Sequence, residues 1–296
     1  MDLCDIQDIR ELLQRHGFRF SKSMGQNFLI DGRVPRDIAA ASGADRTCGV
    51  LEIGPGIGPL TRELCARAGK VAAVELDRAL LPVLAETMAG AENFTLIPGD
   101  ILKLDIPALI DREFPGLTPL VCANLPYNIT TPVLTALVEA RRFSAITVMI
   151  QREVALRIAA APGTADYGAF SVYMQYHTEP EVLFDVPPSC FLPAPKVTSA
   201  VLRCRTRTVP AVTPQCGEEF FFRTVRAAFA QRRKTLVNSL TSVFGGQLSK
   251  EALAGAAAAA GLAPDVRGER LDLHQFAALA DGLWTALSKK EAAEND

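Results

Sequence analysis

The sequence predicts an α/β fold with a mainly parallel sheet, followed by a smaller, all-helical domain. Between residues 49 and 160, short apolar runs typical of strands alternate with helical segments, which is the pattern of βαβ units. After about residue 208 the composition changes, and residues 218–242 and 249–288 have a helical pattern. A chain of 296 residues is also long enough for about two domains. We therefore predict a first domain over residues 1–207 and a second over 208–296.

Local patterns place the elements of the first domain. Ile6, Ile9 and Leu13 recur at helical spacing, so a short amphipathic helix is predicted within residues 3–16. A later helix has a clear start signal, with Thr131 as its N-cap and Pro132 at its first helical position. Strands are predicted at 50–53, 71–75, 95–97, 120–123 and 145–150, and helices near 59–68, 78–88, 131–141 and 152–160.

Two further apolar runs, 181–186 and 197–205, are joined by a proline-rich segment with no helix between them. Parallel strands need a long crossover connection, whereas antiparallel strands do not. We therefore predict that these two runs pair antiparallel at one edge of the sheet.

Composition excludes several classes of protein. The formal net charge is −2, from 31 Lys and Arg against 33 Asp and Glu, which taken as a whole argues against a polyanionic partner. The N-terminus is acidic, unlike a secretory or transit peptide, and no apolar run reaches the roughly 18 residues of a membrane span. The seven cysteines form no C-x-x-C pair, and the three histidines are scattered. We expect a reduced, cytoplasmic protein with neither a metal site nor a membrane contact.

A glycine-rich loop follows the first predicted strand and opens a helix. Gly54, Gly56 and Gly58 would let a ligand approach the backbone, and the helix N-terminus offers free N–H groups. In the dinucleotide fingerprint the third glycine comes one residue later, where this chain has Pro59. A pyrophosphate cradle is therefore disfavoured, and a ligand such as S-adenosylmethionine fits better. An NAD-dependent oxidoreductase stays the alternative within the enzyme class.

Acidic residues end the next two strands. Glu75 lies about twenty residues beyond the loop, where a carboxylate can accept hydrogen bonds from both hydroxyls of a ribose. Asp77 competes for this role from further along the turn, and Asp100 could accept from an adenine amino group. Each acid alone could equally cap a strand-to-helix turn. Their succession after a glycine loop favours a nucleoside ligand.

The tetrapeptide Asn124-Leu125-Pro126-Tyr127 follows the fourth strand, at the edge where open α/β sheets bind substrates. The exocyclic amine of adenine is a poor nucleophile because its lone pair is delocalised into the ring. Acceptors on its two N–H groups, the Asn124 side chain and the Leu125 carbonyl, would favour the pyramidal amine that attacks a methyl group. Pro126 would stiffen the backbone, and Tyr127 could stack on the base. A tight turn with a packed Tyr is the simpler interpretation.

A second aromatic candidate is Phe191, in a segment held extended by Pro193 and Pro195. Phe191 could cover the other face of a base that is flipped out of its stack, and each stacked base contributes about 1–3 kcal/mol. On local grounds a buried core Phe is the alternative.

These motifs together resemble the small-subunit rRNA adenine N6,N6-dimethyltransferases, the dimethyladenosine transferases of the KsgA type. The resemblance covers nearly the whole chain and departs from the family at none of the motif positions. The matching segments are residues 25–29, 52–61, 99–100, 124–129, 151–155, 167–168, 191–199 and 229–236.

The resemblance implies a Rossmann-like, class I S-adenosylmethionine-dependent methyltransferase with a seven-stranded, mainly parallel sheet. It implies two adjacent adenines near the 3′ end of small-subunit rRNA as the substrate, each methylated twice within an assembling 30S subunit, and we expect a monomer. The catalytic candidates are Asn124, Leu125, Pro126, Tyr127 and Phe191. The expected cofactor contacts are Asn27, Leu29, Gly54, Gly56, Glu75, Asp100, Ile101 and Asn124, of which Asn27 and Leu29 rest on the resemblance alone.

Charge is unevenly distributed along the chain. Residues 10–36 carry a net charge of +4 and residues 196–234 carry +7, which leaves −13 elsewhere. Basic residues that reach phosphates would give RNA binding a steep salt dependence, although a solvated helix face has the same composition. The candidates for RNA contact, most of them in the helical domain, are Lys22, Lys196, Arg223, Arg226, Arg232, Arg233 and Lys234.

The sequence thus predicts an RNA adenine N6-methyltransferase, and two rivals besides the oxidoreductase stay open. One is a large-subunit rRNA methyltransferase of the macrolide-resistance type. The other is a ribosome assembly factor whose catalysis is incidental.

Overall fold

Nine strands and twelve helices form the described part of the molecule, a computed structural model covering residues 1–18, 27–231 and 233–295. The strands are β1 Phe28–Leu29, β2 Cys48–Ile53, β3 Lys70–Glu75, β4 Phe94–Pro98, β5 Thr118–Asn124, β6 Ala145–Gln151, β7 Thr178–Val186, β8 Phe191–Leu192 and β9 Ser199–Thr206. The helices are α1 Ile6–Arg15, α2 Arg33–Ala41, α3 Pro59–Arg67, α4 Leu81–Thr87, α5 Ile106–Glu113, α6 Thr130–Glu139, α7 Arg152–Ala159, α8 Ala169–His177, α9 Gly217–Phe229, α10 Leu236–Phe244, α11 Lys250–Ala259 and α12 Leu273–Asn295.

Seven strands form one mixed sheet in the order β4-β3-β2-β5-β6-β9-β7. The five strands from β4 to β6 are parallel to their neighbours, and β9 pairs antiparallel with β6. Strand β7 lies at the edge beside β9, so the two later apolar runs are neighbours at the predicted edge. The mainly parallel, seven-stranded sheet predicted from the sequence is confirmed.

Burial explains why these segments are strands. All six residues of β2 and five of the six of β3 are buried, which is typical of parallel strands covered on both faces. Side chains of α2 and α3, among them Ile38 and Leu64, share one apolar cluster with Val50 and Val71. Another cluster joins α1 to α4 through Leu12 and other apolar side chains. These helices hold the carboxyl ends of β2 and β3 in fixed positions.

Helix α6 begins at Thr130, two residues before the predicted first helical position at Pro132, and the predicted Thr131 cap is wrong. The chain leaves β5 and makes a 3-10 turn over Tyr127–Ile129 that runs directly into the helix. Ile129 therefore occupies the N-cap position without a side-chain cap, and the Thr130 hydroxyl donates to the Pro126 carbonyl at 3.3 Å. Pro132 is consequently the third helical residue.

The chain divides into two units, Met1–Ala155 with Glu179–Thr206, and Leu156–Thr178 with Arg207–Asp296. The predicted boundary at 207/208 therefore differs from this division by Arg207 and by the segment Leu156–Thr178. The difference arises because aromatic side chains of that segment, Tyr167 and Tyr176, belong to the same apolar cluster as Phe221 and Phe276. The Tyr167 hydroxyl also donates to the Leu271 carbonyl at 3.0 Å.

The long helical stretches of the second unit are interrupted. Residues 218–242 form α9 and α10, separated by residues 230–235, and residues 249–288 form α11 and most of α12. Close packing against α9 explains the interruption between α11 and α12. A Cβ added to Gly268 would lie 2.6 Å from the Ala228 carbonyl oxygen, so the turn before α12 packs directly against α9.

Candidate active site

A cavity of about 270 Å³ lies in the first unit, at the carboxyl ends of β2, β3, β4 and β5. Strand β2 pairs with β3 on one side and β5 on the other, so the chain order reverses there, which is where open α/β sheets bind ligands. The cavity is lined by every residue predicted as catalytic or cofactor-binding, namely Asn27, Leu29, Gly54, Gly56, Glu75, Asp100, Ile101, Asn124, Leu125, Pro126, Tyr127 and Phe191.

The glycine loop turns sharply between β2 and α3. Gly56 has a φ of +63°, a conformation that favours glycine, and a Cβ at this position would lie 3.4 Å from the Phe28 ring. Gly58 has a φ of +93° and is the N-cap of α3, with Pro59 at the first helical position. At its glycines, the loop therefore exposes backbone atoms without side chains to the cavity.

Glu75 is the buried acid of the site, with 6% of its surface exposed. Its carboxylate accepts a hydrogen bond from the Asp77 N–H at 2.7 Å. Burial raises the pKa of Glu75, while the backbone N–H groups of Asp77 and Gly56 act in the opposite direction and favour the ionised form. Both competing acids line the cavity, Glu75 as the last residue of β3 and Asp77 in the turn that follows it.

Asp100 caps the turn that follows β4, and its contact with an adenine amino group stays a prediction. Its side chain accepts from the Leu102 N–H at 3.1 Å and so caps a 3-10 turn over Ile101–Lys103. The Lys103 ammonium lies 3.8 Å from the same carboxylate. Asp100 also lines the cavity, so the cap fixes a carboxylate that a ligand can reach.

The tetrapeptide begins at the last residue of β5. Asn124 pairs with Met149 of β6, and the Leu125 N–H donates to the Met149 carbonyl at 3.1 Å, so both backbone positions are fixed by the sheet. Within the described ranges, the Asn124 side-chain amide makes no hydrogen bond. The Tyr127 hydroxyl lies 2.7 Å from the Ser199 hydroxyl, and burial raises the pKa of Tyr127. An amide and an aromatic ring thus face one cavity.

Phe191 is both a buried core residue and part of the cavity wall, so its stacking on a base stays a prediction. It is only 3% exposed and belongs to an apolar cluster with Leu29 and Ile38, yet it also lines the cavity. Its strand β8 pairs antiparallel with β1, in the register Leu29↔Phe191 and Phe28↔Leu192. The expected cofactor residue Leu29 and the expected stacking residue Phe191 are therefore backbone partners.

Glu52 is a further cavity residue, outside the predicted catalytic and cofactor-binding set. It is 1% exposed, and its Oε2 atom has no hydrogen-bond partner among the residues that the structure describes. Burial raises the pKa of Glu52 to about 8, with the Thr61 hydroxyl lowering it and the Glu75 carboxylate raising it further. A charged residue inside the apolar run Val50-Leu51-Glu52-Ile53 is the signal that could have identified it.

The predicted RNA-binding residues do not share one environment. Lys196, Arg226, Arg233 and Lys234 are exposed and have no ion pair with any described residue. Lys22 and Arg232 lie outside the described residues.

Arg223 instead takes part in internal contacts of the second unit. Its guanidinium carbon lies 4.6 Å from the centroid of the Phe244 ring, and Nη2 donates to the Gln247 side-chain oxygen at 2.7 Å. These contacts give Arg223 a structural role.

The described part of the chain contains no disulfide, no metal-ligand cluster and no membrane-spanning helix. The seven cysteines are free thiols. No cluster of three or more potential metal ligands occurs among residues 1–18, 27–231 and 233–295. Within the same ranges, no helix has both the length and the apolar composition to span a bilayer.

Comparison with known proteins assigns the family. A model described as ribosomal RNA adenine dimethylase matches residues 17–277. The chain is 47% identical over 277 residues to ribosomal RNA small subunit methyltransferase A of Geobacillus thermodenitrificans, with 93% of this chain and 94% of that protein covered. It is 46% identical over 286 residues to the protein of the same name from Streptococcus pneumoniae, with 96% and 98% covered.

Solved structures agree with this assignment. The 23S rRNA methyltransferase ErmE superposes with a TM-score of 0.67 at 27% identity, over 87% of this chain and 99% of that chain. A dimethyladenosine transferase from Plasmodium falciparum shares the fold, with a TM-score of 0.69 at 23% identity over 85% and 95% of the two chains.

The sheet and its cavity define a Rossmann-like methyltransferase with a helical C-terminal region. The chain belongs to the ribosomal RNA adenine dimethylase family. The resemblance stated from the motifs is thereby confirmed. The oxidoreductase alternative, which rested on the glycine loop alone, is excluded.

Proposed function

We propose that this protein transfers methyl groups from S-adenosylmethionine to the N6 amines of two adjacent adenines near the 3′ end of small-subunit rRNA, two to each adenine. It acts as a monomer on the assembling subunit. The observation that carries the proposal is that the acids, the glycine loop and Asn124-Leu125-Pro126-Tyr127 line the same cavity. The relatives at 46–47% identity over nearly the whole chain support the choice of the small subunit.

The chemistry of the cavity wall fits S-adenosylmethionine. A molecule with an ammonium and a sulfonium group needs anionic partners, and Glu52 supplies a buried carboxylate oxygen that lacks a partner among the described residues. Glu75 and Asp100 supply acceptors for ribose hydroxyls and for an adenine amine. Leu29 and Ile101 supply apolar contact, and Gly56 leaves room where a side chain would intrude. When bound, the cofactor supplies an electrophilic methyl group.

The residues at the end of β5 activate the target amine. The Asn124 side-chain oxygen and the Leu125 carbonyl accept hydrogen bonds from N6–H, two in the first transfer and one in the second, which draws the nitrogen lone pair out of conjugation. Tyr127 and Phe191 stack on the base and hold the amine in line for attack. Each transfer forms one N–C bond and breaks the S–C bond, and the proton lost from N6 passes to water. A strong general base is not required, because the product ammonium is acidic.

A large-subunit rRNA substrate is the second candidate function. ErmE, a 23S rRNA methyltransferase, shares the fold and 27% of aligned residues. The small-subunit relatives are considerably more similar, at 46–47% identity. The similarity therefore favours the small subunit.

Labelled-methyl incorporation tests the proposal directly. Small subunits that lack the modification, protein-free small-subunit rRNA and large subunits are each incubated with the enzyme and labelled S-adenosylmethionine. We expect up to four methyl groups on each small subunit, confined to two adjacent adenines. Transfer to large subunits alone would favour the second candidate, and absence of transfer to all three substrates would refute both.

A further inference from the structure

The hydroxyl of Tyr127 is fixed by a residue outside the tetrapeptide. Its oxygen lies 2.7 Å from the Oγ atom of Ser199, the first residue of β9. Ser199 is fully buried, whereas Tyr127 is half-buried and lines the cavity. Stacking on a base requires only the aromatic ring, so the hydroxyl is available to hold that ring in place.

The backbone around Ser199 is a firm anchor. Ser199 pairs with Gln151 in the antiparallel ladder between β6 and β9. The Arg152 N–H donates to the Thr198 carbonyl at 3.0 Å, and the Arg152 side chain donates to the Asp185 carboxylate at 2.8 Å. Tyr127, in contrast, lies on a three-residue 3-10 turn between β5 and α6. The hydrogen bond therefore ties a short turn to the sheet.

The segment 191–199 determines the position of both rings. Phe191 begins the segment and is fixed by backbone pairing with Leu29. Ser199 ends the segment and holds the hydroxyl of Tyr127. The separation of the two rings consequently depends on Ser199 at one end as much as on Phe191 at the other.

We propose that Ser199 is a positioning residue that holds the Tyr127 ring against the target adenine and so aligns the amine for methyl transfer. This role rests on the proposed function, in which Tyr127 stacks on the base. Ser199 itself is not among the residues that line the cavity. Its effect is expected on the chemical step, because a small displacement of the base changes the line of attack.

Substitution of the two hydroxyls tests the proposal. Ser199→Ala and Tyr127→Phe each remove the hydrogen bond, and Tyr127→Phe does so without changing β9 or the ring. A neutral hydrogen bond contributes about 1 kcal/mol, so we expect each variant to lower kcat for small-subunit methylation by about 5-fold or more. The affinity for S-adenosylmethionine, measured by calorimetry, is expected to stay within about 2-fold.

The double variant separates positioning from simple loss of stability. Because both single changes remove the same bond, Ser199→Ala in the Tyr127→Phe background is expected to lower kcat by less than about 2-fold further. Ser199→Thr keeps a hydroxyl and is expected to recover part of kcat. Multiplication of the two single effects in the double variant would overturn the proposal. An unchanged kcat in Tyr127→Phe would overturn it too, even if Ser199→Ala fails to fold.

Thr147→Val is the matched control. Thr147 lies on β6 and is fully buried, and its hydroxyl has no hydrogen-bond partner within the described ranges. This variant also removes a buried hydroxyl from the sheet, and kcat is expected to stay unchanged; a loss equal to that of Ser199→Ala would contradict the positioning role. Failure of the unchanged enzyme to methylate small subunits would refute the proposed function instead, so the two failures are distinguishable.

Discussion

Asn124 and Glu52 are polar side chains of the cavity, and among the described residues neither the Asn124 amide oxygen nor the Glu52 Oε2 atom has a hydrogen-bond partner. They differ in charge. The Asn124 amide is neutral at every pH and is suited to the neutral amine of a base. Glu52 is a carboxyl group whose raised pKa disfavours its charge until a cation approaches. Under the proposed function, this contrast assigns Asn124 to the acceptor base and Glu52 to the cationic cofactor.

Replacement of Asn124 with Ala is expected to separate binding from chemistry. The variant loses an acceptor for the target amine, so methyl transfer should fall by about 10²-fold or more, while S-adenosylmethionine binding changes little. Single-turnover methylation and calorimetric titration measure the two effects. Asn238→Ala, which changes an exposed residue of α10, is the control. Activity of Asn124→Ala equal to that of the parent would refute the role of Asn124.

The raised pKa of Glu52 makes the stability of the cofactor-free protein depend on pH. The folded-state pKa of about 8 exceeds the ordinary value of 4.5, so the folded protein binds more protons between these values. The stabilising contribution is complete below pH 4.5 and is lost as pH rises towards 8, by about 1.4 kcal/mol for each pH unit. Glu52→Gln cannot ionise, so this slope is expected to disappear.

Urea unfolding at several pH values between 5 and 8 measures this slope. Glu139→Gln, which replaces an exposed carboxyl on α6, is the control and should retain it. Parallel stability curves for Glu52→Gln and the parent would show that Glu52 does not titrate in this range.

At the level of elements, the loop between β2 and α3 is the most constrained part of the site. Gly56→Ala would impose a left-handed conformation on a residue with a Cβ, which costs about 1–2 kcal/mol, and would direct that Cβ towards Phe28. We expect both lower stability and at least 10-fold weaker cofactor binding. Thermal unfolding and calorimetry measure the two changes.

Gly43→Ala is a matched control for this change. Gly43 has a φ of +72°, close to that of Gly56, and a Cβ there would meet nothing within 4 Å. It should lose similar stability and keep its cofactor affinity. Equal loss of affinity in the two variants would mean that the effect of Gly56→Ala is on folding alone.

The local sequence pattern predicts those strands and helices that can be recognised without knowing which other segment packs beside them. The parallel strands have continuous apolar runs because both of their faces are covered, and the site motifs follow these strands directly. The two-residue strand Phe28–Leu29 has no such pattern, since it exists only because Phe191–Leu192 lies beside it. Helix α8 was not predicted for a related reason. Its aromatic side chains Tyr173 and Tyr176 fit the second unit rather than a repeating helical stripe.

Across the whole molecule, the total charge is near neutral, but the basic side chains are of two kinds. Some form contacts within the protein, and others are exposed to solvent. Several of the basic side chains between residues 196 and 234 are engaged within the protein. Arg203 forms an ion pair with Glu181 at 2.7 Å, Arg207 donates to the Thr178 carbonyl, and Arg223 packs on Phe244. The number of Lys and Arg side chains between residues 196 and 234 that are available to bind phosphates is therefore smaller than their total number in the sequence.

Salt dependence of RNA binding distinguishes these two groups of cations. Lys234→Ala removes an exposed charge, and the slope of log affinity against log salt is expected to fall by about one unit. Arg223→Ala is expected to leave the slope unchanged and to lower the stability of the helical unit by about 1 kcal/mol. Filter binding of small-subunit rRNA at several salt concentrations measures the slopes. A reduced slope for Arg223→Ala would assign Arg223 to the RNA contact.

The pairing of β1 with β8 also has a consequence during synthesis of the chain. Leu29 and its partner Phe191 are about 160 residues apart, so β1 leaves the ribosome long before β8 is made. Because domains fold as the chain emerges, N-terminal part first, the parallel strands can assemble while β1 still lacks its partner. A nascent chain therefore completes the wall of this cavity only after about two thirds of its residues have been translated.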